Sequence, residues 1–398
     1  AFILFIFGLG PIKGFATTQM LGIFLSLFCG ILISRLITDW YTNKNRHFQY
    51  FTPISKKIFK HASFKFIEYR KVTYIISVVV LLLGVAAIFN GFHQGVEYAG
   101  GRSFTVTLDK ESKSEELRTI LKPVFANNEP IVKSIDNSRF KYDITTAYLI
   151  KDAREKTVVD SLVRAALYNG LKPKLNADVT EAGFTRTKIE GSKKVEPSIS
   201  EQLKRGAQKA AIISILVIAI YIFLRFRDWR YSVGTIIALL HDVFVTLAVF
   251  SFLKEIMPFP LELDQHFIAA VLTVIGFSMN DTIIVFDRVR EYAKQMKDQP
   301  KETIINRAIN DTLSRTIMTS LTVFLTILIL FIFGGQVTKG FAFAMLIGVI
   351  VGTYSSIFVA APVLVDMAKS KPLGTADFID HSNETTRAAE KALKKTHG

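Results

Sequence analysis

The stretch FIAAVLTVIGFSMNDTIIVF, from Phe267 to Phe286, holds one carboxylate, Asp281, inside an otherwise uncharged apolar run. A run of about 20 such residues matches the hydrocarbon thickness of a bilayer, so it reads as a membrane-spanning helix. A central Asp costs roughly 2.5 to 3.5 kcal/mol on insertion scales, which makes an intramembrane carboxylate a functional-site candidate by default. Helical spacing sets Ser278, Asp281 and Arg288 on one stripe, and Thr273, Asn280 and Asp287 on the next. The polar groups share a face, and that face is expected to look into a helix bundle.

Outward from this stretch the same pattern recurs. Half of the 398 residues are hydrophobic and 21% are charged. Complete spans are predicted at Phe15 to Ile37, Thr73 to Phe92, Ala207 to Leu224, Val233 to Leu253, Phe267 to Phe286, Thr316 to Phe333 and Phe341 to Val365, with Ala1 to Leu9 the tail of another. The start lacks a basic n-region and a small-residue cleavage site, so it is read as the interior of a longer protein rather than as a signal peptide. A net charge of +15 raises the question of nucleic acid. The Lys and Arg follow topology instead: they crowd the connector Thr38 to Lys71, the turn with Arg225, Arg227 and Arg230, and the segment Arg288 to Arg307, while the loops at Lys254 and Lys339 hold one cation each. That asymmetry is the positive-inside pattern, and it sets Gly95 to Arg205 on the far side of the membrane. The one cysteine, Cys29, lies within a span and builds no disulfide framework.

An internal repeat supports two bundles. Ile3-Leu4-Phe5-Ile6-Phe7-Gly8 recurs as Ile329-Leu330-Phe331-Ile332-Phe333-Gly334, and Lys13-Gly14-Phe15-Ala16 as Lys339-Gly340-Phe341-Ala342 in the same register. Both copies end on the same side, a parallel repeat. The chain then divides into 1–37, the end of one bundle; 38–71, a basic connector; 72–94, the first helix of a second bundle; 95–205, the far-side domain; 206–368, five further helices; and 369–398, a polar tail. Within the far-side segment, strand-like alternation at Arg102 to Leu108, Ile131 to Ile135 and Phe140 to Thr146 alternates with helical patterns at Ser114 to Phe125 and Val158 to Tyr168. This β-α-β-β-α order is a ferredoxin-like signature, with a final strand expected between Pro173 and Thr180. The basic stretch Ile54 to Arg70 suits either an anionic leaflet or a solvated linker.

A second acid, Asp242, follows His241 midway along Val233 to Leu253. Paired acids in neighbouring spans suit a proton relay, because burial disfavours the charged form, and equally suit structural hydrogen bonding between helices. For His241 the structural role is the simpler one, and Arg315 reads first as a topology anchor. No metal-ligand spacing or phosphate loop appears, so neither metal nor cofactor is expected.

Several stretches together resemble the SecD/SecF protein-export membrane proteins of the bacterial Sec translocase, within the resistance-nodulation-division superfamily. They are Ser278-Met279-Asn280-Asp281-Thr282-Ile283-Ile284-Val285-Phe286-Asp287-Arg288-Val289-Arg290-Glu291, Ala238-Leu239-Leu240-His241-Asp242-Val243, Ser314-Arg315-Thr316, and Gly348-Val349-Ile350-Val351-Gly352-Thr353-Tyr354-Ser355-Ser356-Ile357-Phe358. Residues 1 to 37 resemble the end of SecD and the remainder SecF. The resemblance implies a polytopic α-helical membrane protein with a small α+β ferredoxin-like periplasmic domain, held in the bacterial inner membrane. It implies a non-enzymatic export accessory driven by the proton gradient, with Asp281, Arg315 and Asp242 in the relay and Asn280, Ser278 and His241 as supporting polar groups. The implied partners are a SecYEG-type channel, a YajC-type accessory subunit, a YidC-type insertase, unfolded preprotein and lipid. Where the family carries Gly-Ile-Asp-Phe-x-Gly-Gly, this chain has Gly95-Val96-Glu97-Tyr98-Ala99-Gly100-Gly101. Two other classes compete. A solute or lipid exporter of the same superfamily would carry larger far-side domains. An intramembrane aspartyl protease would carry Tyr-Asp and Gly-x-Gly-Asp settings, which His241-Asp242 and Asn280-Asp281 do not match.

Overall fold

The computed structural model describes residues 2–7, 11–44, 63–135, 138–150, 152 and 154–368. Seven helices are long and apolar enough to cross a membrane: Ala16–Thr42, Phe66–Asn90, Ser198–Phe226, Trp229–Leu253, Gln265–Gln295, Lys301–Phe333 and Thr338–Met367. The chain is a multi-pass membrane protein. Each predicted span lies within one of these helices or overruns its end by a residue or two. The helices run longer because hydropathy registers the bilayer, whereas a helix continues into water wherever its backbone remains hydrogen-bonded. Beyond the apolar part of Gln265–Gln295, Asp287 meets Arg225 at 3.0 Å and Arg288 meets Asp311 at 3.3 Å. The middle of the bundle is formed by Trp229–Leu253, Gln265–Gln295 and Thr338–Met367, the most buried spans, while Phe66–Asn90 and Ser198–Phe226 present apolar side chains outward.

The repeat is visible in backbone shape. A single π-helical turn interrupts the span Ala16–Thr42 at Phe28–Ile33 and the span Thr338–Met367 at Ser356–Ala360. In the register that aligns Lys13-Gly14-Phe15-Ala16 with Lys339-Gly340-Phe341-Ala342, the two turns overlap. Among the described residues none of the first span's apolar window is buried; its beginning docks, with Ala16 packed beside Leu203, Ala207, Leu239 and Leu272. The connector residues 45–62 and the tail 369–398 lie outside the described residues. Just after the connector, the backbone amides of Phe64 and Ile67 donate to Asn310 and Asn306, fixing the chain before it enters Phe66–Asn90.

Residues 95–205 contain a four-stranded antiparallel sheet backed by two helices. Its strands are β2 (Gly101–Thr107), β3 (Ile131–Ser134), β4 (Lys141–Thr146) and β5 (Ile189–Val195), in the order β3-β4-β2-β5; β1 (His93–Gln94) and β6 (Glu262–Leu263) pair separately. The helices Ser114–Val124 and Lys156–Leu171 cover one face, with Leu117, Leu121, Val163 and Leu167 on Phe104, Val106 and Ile144. One expectation needs correction. The last strand is not at Pro173 to Thr180, which turns through Lys172–Lys174, but at Ile189–Val195. It escaped notice because an edge strand with mostly exposed side chains need not alternate apolar and polar residues. After β5 the chain starts a helix at Pro197 that runs on to Phe226 without a break.

The domain is fixed to the bundle at several points. His93 and Gln94 pair in parallel with Glu262 and Leu263. Lys133 reaches the buried Glu262 at 3.1 Å, and Gln336 accepts from the Ser134 amide at 2.8 Å and lies 3.1 Å from the Ser114 hydroxyl. Burial pushes the Glu262 carboxyl up from its ordinary range, and Lys133 opposes that rise. Within the domain, the Lys188 ammonium and the Asn176 amide hold the Asp109 carboxyl below the usual carboxylate range. A carboxyl depressed on folding adds stability above its unfolded pKa, near 4, and that stability is lost as the pH falls through the folded value. The thermal unfolding temperature of the domain, followed in the purified chain, should therefore drop between pH 6 and pH 3, and Asp109→Asn should flatten that drop. An identical pH response in the variant would remove Asp109 as a contributor.

Candidate functional site

Asp242 and Asp281 sit fully buried on the adjacent helices Trp229–Leu253 and Gln265–Gln295. The latter helix is started by Asp264, whose Oδ1 accepts the Phe267 amide at 2.7 Å and satisfies an otherwise free N-terminal donor. The two acids have different surroundings. Asp242 Oδ2 accepts from the Ser278 hydroxyl at 2.6 Å and the Ser355 hydroxyl at 2.9 Å, and its Oδ1 lies 3.4 Å from His241 Nδ1. Three helices thereby converge on one carboxylate. Asp281 is poorly supplied: the Ser320 hydroxyl lies 3.3 Å from its Oδ2, and its Oδ1 has no partner among the described residues. Ser320 in turn receives a hydrogen bond from Thr353 at 2.7 Å.

Close helix approach makes this arrangement possible. A Cβ placed at Gly352 would come within 2.9 Å of Ser278 Cβ, and one at Gly348 within 2.1 Å of Val274 Cγ2. The two glycines, one turn apart, let Thr338–Met367 lie directly on Gln265–Gln295. The small-residue stripe then continues as Ser355 and Ser356, with Ser356 Oγ 3.0 Å from Thr282 Oγ1. The π turn from Ser356 to Ala360 begins where this seam ends.

Ser278 and His241 lie inside the seam. The His241 ring stacks on Tyr354, with centroids 5.9 Å apart, and its Nε2 has no partner among the described residues. Asn280 is exposed on the outer face of its helix. Arg315 is exposed as well and makes no direct ion pair among the described residues. Ser320, Thr353 and Ser355 were absent from the expected site. Ser355 stands three residues after Gly352 and seven after Gly348, on their helical stripe, so a search for hydroxyls on small-residue stripes would have found it; Thr353 lies in the same motif but off that stripe, and Ser320 is one turn beyond Thr316. Asp242 and Asp281 share no hydrogen bond with each other among the described residues, unlike a carboxyl dyad that shares one proton.

The sequence profile described as protein export membrane protein SecD/SecF, C-terminal, matches residues 175–370. Protein translocase subunit SecF of Rhodothermus marinus is 41% identical over 312 residues, which span 78% of this chain and 95% of that protein. Protein translocase subunit SecDF of Brucella abortus is 31% identical over 383 residues, 96% of this chain and 47% of the relative. Among solved structures, SecDF of Thermus thermophilus, a translocon-associated membrane protein, is similar with a TM-score of 0.73 and 28% identity, covering 92% of this chain and 46% of that one. The chain thus spans about half the length of the SecDF proteins it matches.

Proposed function

The chain belongs to the SecD/SecF protein-export membrane protein family, and on that premise we propose that it serves the Sec translocase by using the proton-motive force to promote preprotein export across the bacterial inner membrane. The single observation that carries the reading is the unequal provision of the two buried acids. Asp281 keeps one carboxyl oxygen without a partner among the described residues, so it is the group that takes and releases the proton. Asp242, met by two serine hydroxyls and His241, holds three helices in register around it. Thr353 and Ser320 form a short hydroxyl path to Asp281, and Arg315 contributes a fixed positive charge near the basic side. One charge crossing the potential is worth about 2.3 kcal/mol per 100 mV, enough to bias a two-state change of helix packing.

On this reading the far-side domain is periplasmic and ferredoxin-like. The strand order β3-β4-β2-β5 and the basic residues Arg225, Arg227 and Arg230 at the opposite end of the bundle support that placement. The domain receives unfolded preprotein from a SecYEG-type channel, with YajC-type and YidC-type neighbours in the same bilayer. A solute or lipid exporter is the alternative within the superfamily. The test uses inverted membrane vesicles carrying the chain together with its SecD-type region. Preprotein export should rise with the chain present, and a protonophore should abolish the gain. A gain that survives collapse of the gradient would overturn the coupling.

A further inference from the structure

The sheet of the far-side domain has two edges, and they are treated differently. Edge β3 is occupied: its Ser134 amide donates to Gln336 and its Lys133 reaches Glu262. Edge β5 is open. Its residues Glu190 to Lys194 are exposed, and outside the ladder to β2 they make no further backbone hydrogen bond among the described residues. An open strand normally either carries outward charges that repel a neighbour or receives one. Here two of the three charges fold back over the sheet: Glu190 bonds to Thr107 and Lys141, and Lys194 to Asp160. Lys193 alone is without an ion pair among the described residues.

At the C-terminal end of this strand lies a cavity of about 350 Å³. Its apolar wall is Leu149, Ile150 and Val159, and its polar wall includes Arg102, Lys194 and Glu196. Arg102 is buried and shares Asp160 with Lys194, donating to it at 2.7–2.8 Å. Two cations on one carboxylate leave a net positive charge beside the cavity, while Lys193, the preceding residue of the strand, is directed to the opposite face of the sheet. Strand addition takes affinity from the main chain and selectivity from side-chain pockets, so an open edge next to an apolar cavity with a positive rim is complementary to one kind of ligand.

We propose that β5 and this cavity bind an extended polypeptide segment as a fifth strand, with a bulky apolar side chain in the cavity and an acidic side chain on the opposite face beside Lys193. The site rests on the reading above, that this domain meets unfolded preprotein, and it names where and how. Main-chain recognition also suits a protein that must hold many different sequences.

The probe is a labelled peptide of alternating leucine and glutamate, titrated against the full chain in detergent. The wild-type chain should bind it. N-methylation of alternate peptide amides, replacement of glutamate by lysine, Lys193→Glu and cavity-filling Ile150→Trp should each weaken binding by roughly tenfold or more. The N-methylated peptide leaves the protein untouched, so its result is independent of whether a variant folds. Equal affinity for the methylated and unmethylated peptides, or no binding by a chain that supports gradient-driven export, would overturn this site while leaving the proposed function standing. Peptide binding at β5 by a chain that supports no such export would keep the site and overturn that function.

Discussion

Asp281→Asn is expected to leave the protein folded and membrane-inserted while removing the gradient-dependent part of preprotein export entirely. The amide has the size of the carboxyl and can still meet Ser320 Oγ, which lies 3.3 Å from Asp281 Oδ2. What it cannot do is exchange a proton. Because Asp281 Oδ1 has no partner among the described residues, the substitution breaks no second contact there, so expression and thermal stability should stay near wild type. Asp242→Asn should behave differently. Its Oδ2 accepts from both Ser278 and Ser355, which an amide oxygen could still do, but the amide turns Oδ1, 3.4 Å from His241 Nδ1, into an NH2 donor that the imidazole must change tautomer to meet. A mismatched buried hydrogen bond costs about 1–3 kcal/mol, so stability should fall more than coupling. Normal gradient-dependent export by the Asp281→Asn protein, measured in inverted vesicles, would remove the relay assignment; equal destabilisation by both substitutions would show that the two acids do the same structural job.

Gly348→Ala should be the most disruptive single methyl group in the bundle. The added Cβ would fall 2.1 Å from Val274 Cγ2, 2.6 Å from Cγ1 and 2.9 Å from Cβ, and a β-branched side chain on a helix has little room to turn aside. Overpacking of this kind costs about 1–3 kcal/mol, at times more. The helices Thr338–Met367 and Gln265–Gln295 must separate to accept it, which pulls Ser355 away from Asp242 and loosens the seam. Loss of melting temperature and of gradient-driven export should therefore appear together. Gly276→Ala, on the second of these helices, is the control: nothing lies within 4 Å of its Cβ position, so the substitution should be neutral or mildly stabilising by up to about 1 kcal/mol. If Gly348→Ala melts with the wild type, the close approach of these helices is not what holds the site.

Much of this protein was legible in one dimension. Crossing a bilayer demands about 20 apolar residues, and no other fold constraint writes itself so plainly into composition; all seven spans, the basic asymmetry of the loops and the intramembrane Asp281 and Asp242 follow from it. The repeat of Lys13-Gly14-Phe15-Ala16 as Lys339-Gly340-Phe341-Ala342 was likewise in the letters. The sheet domain was read up to its fourth strand, and no further, because β5 lies at an edge where burial imposes no alternation. Only the tertiary structure separated the two acids. Both are single carboxylates in apolar runs, but Asp242 gains Ser355, 113 positions along the chain, where Gly348 and Gly352 let two helices touch, and among the described residues Asp281 gains only Ser320. Hydropathy is a sum over neighbours in sequence, whereas the partners of a buried carboxyl are chosen by helix packing across the bundle.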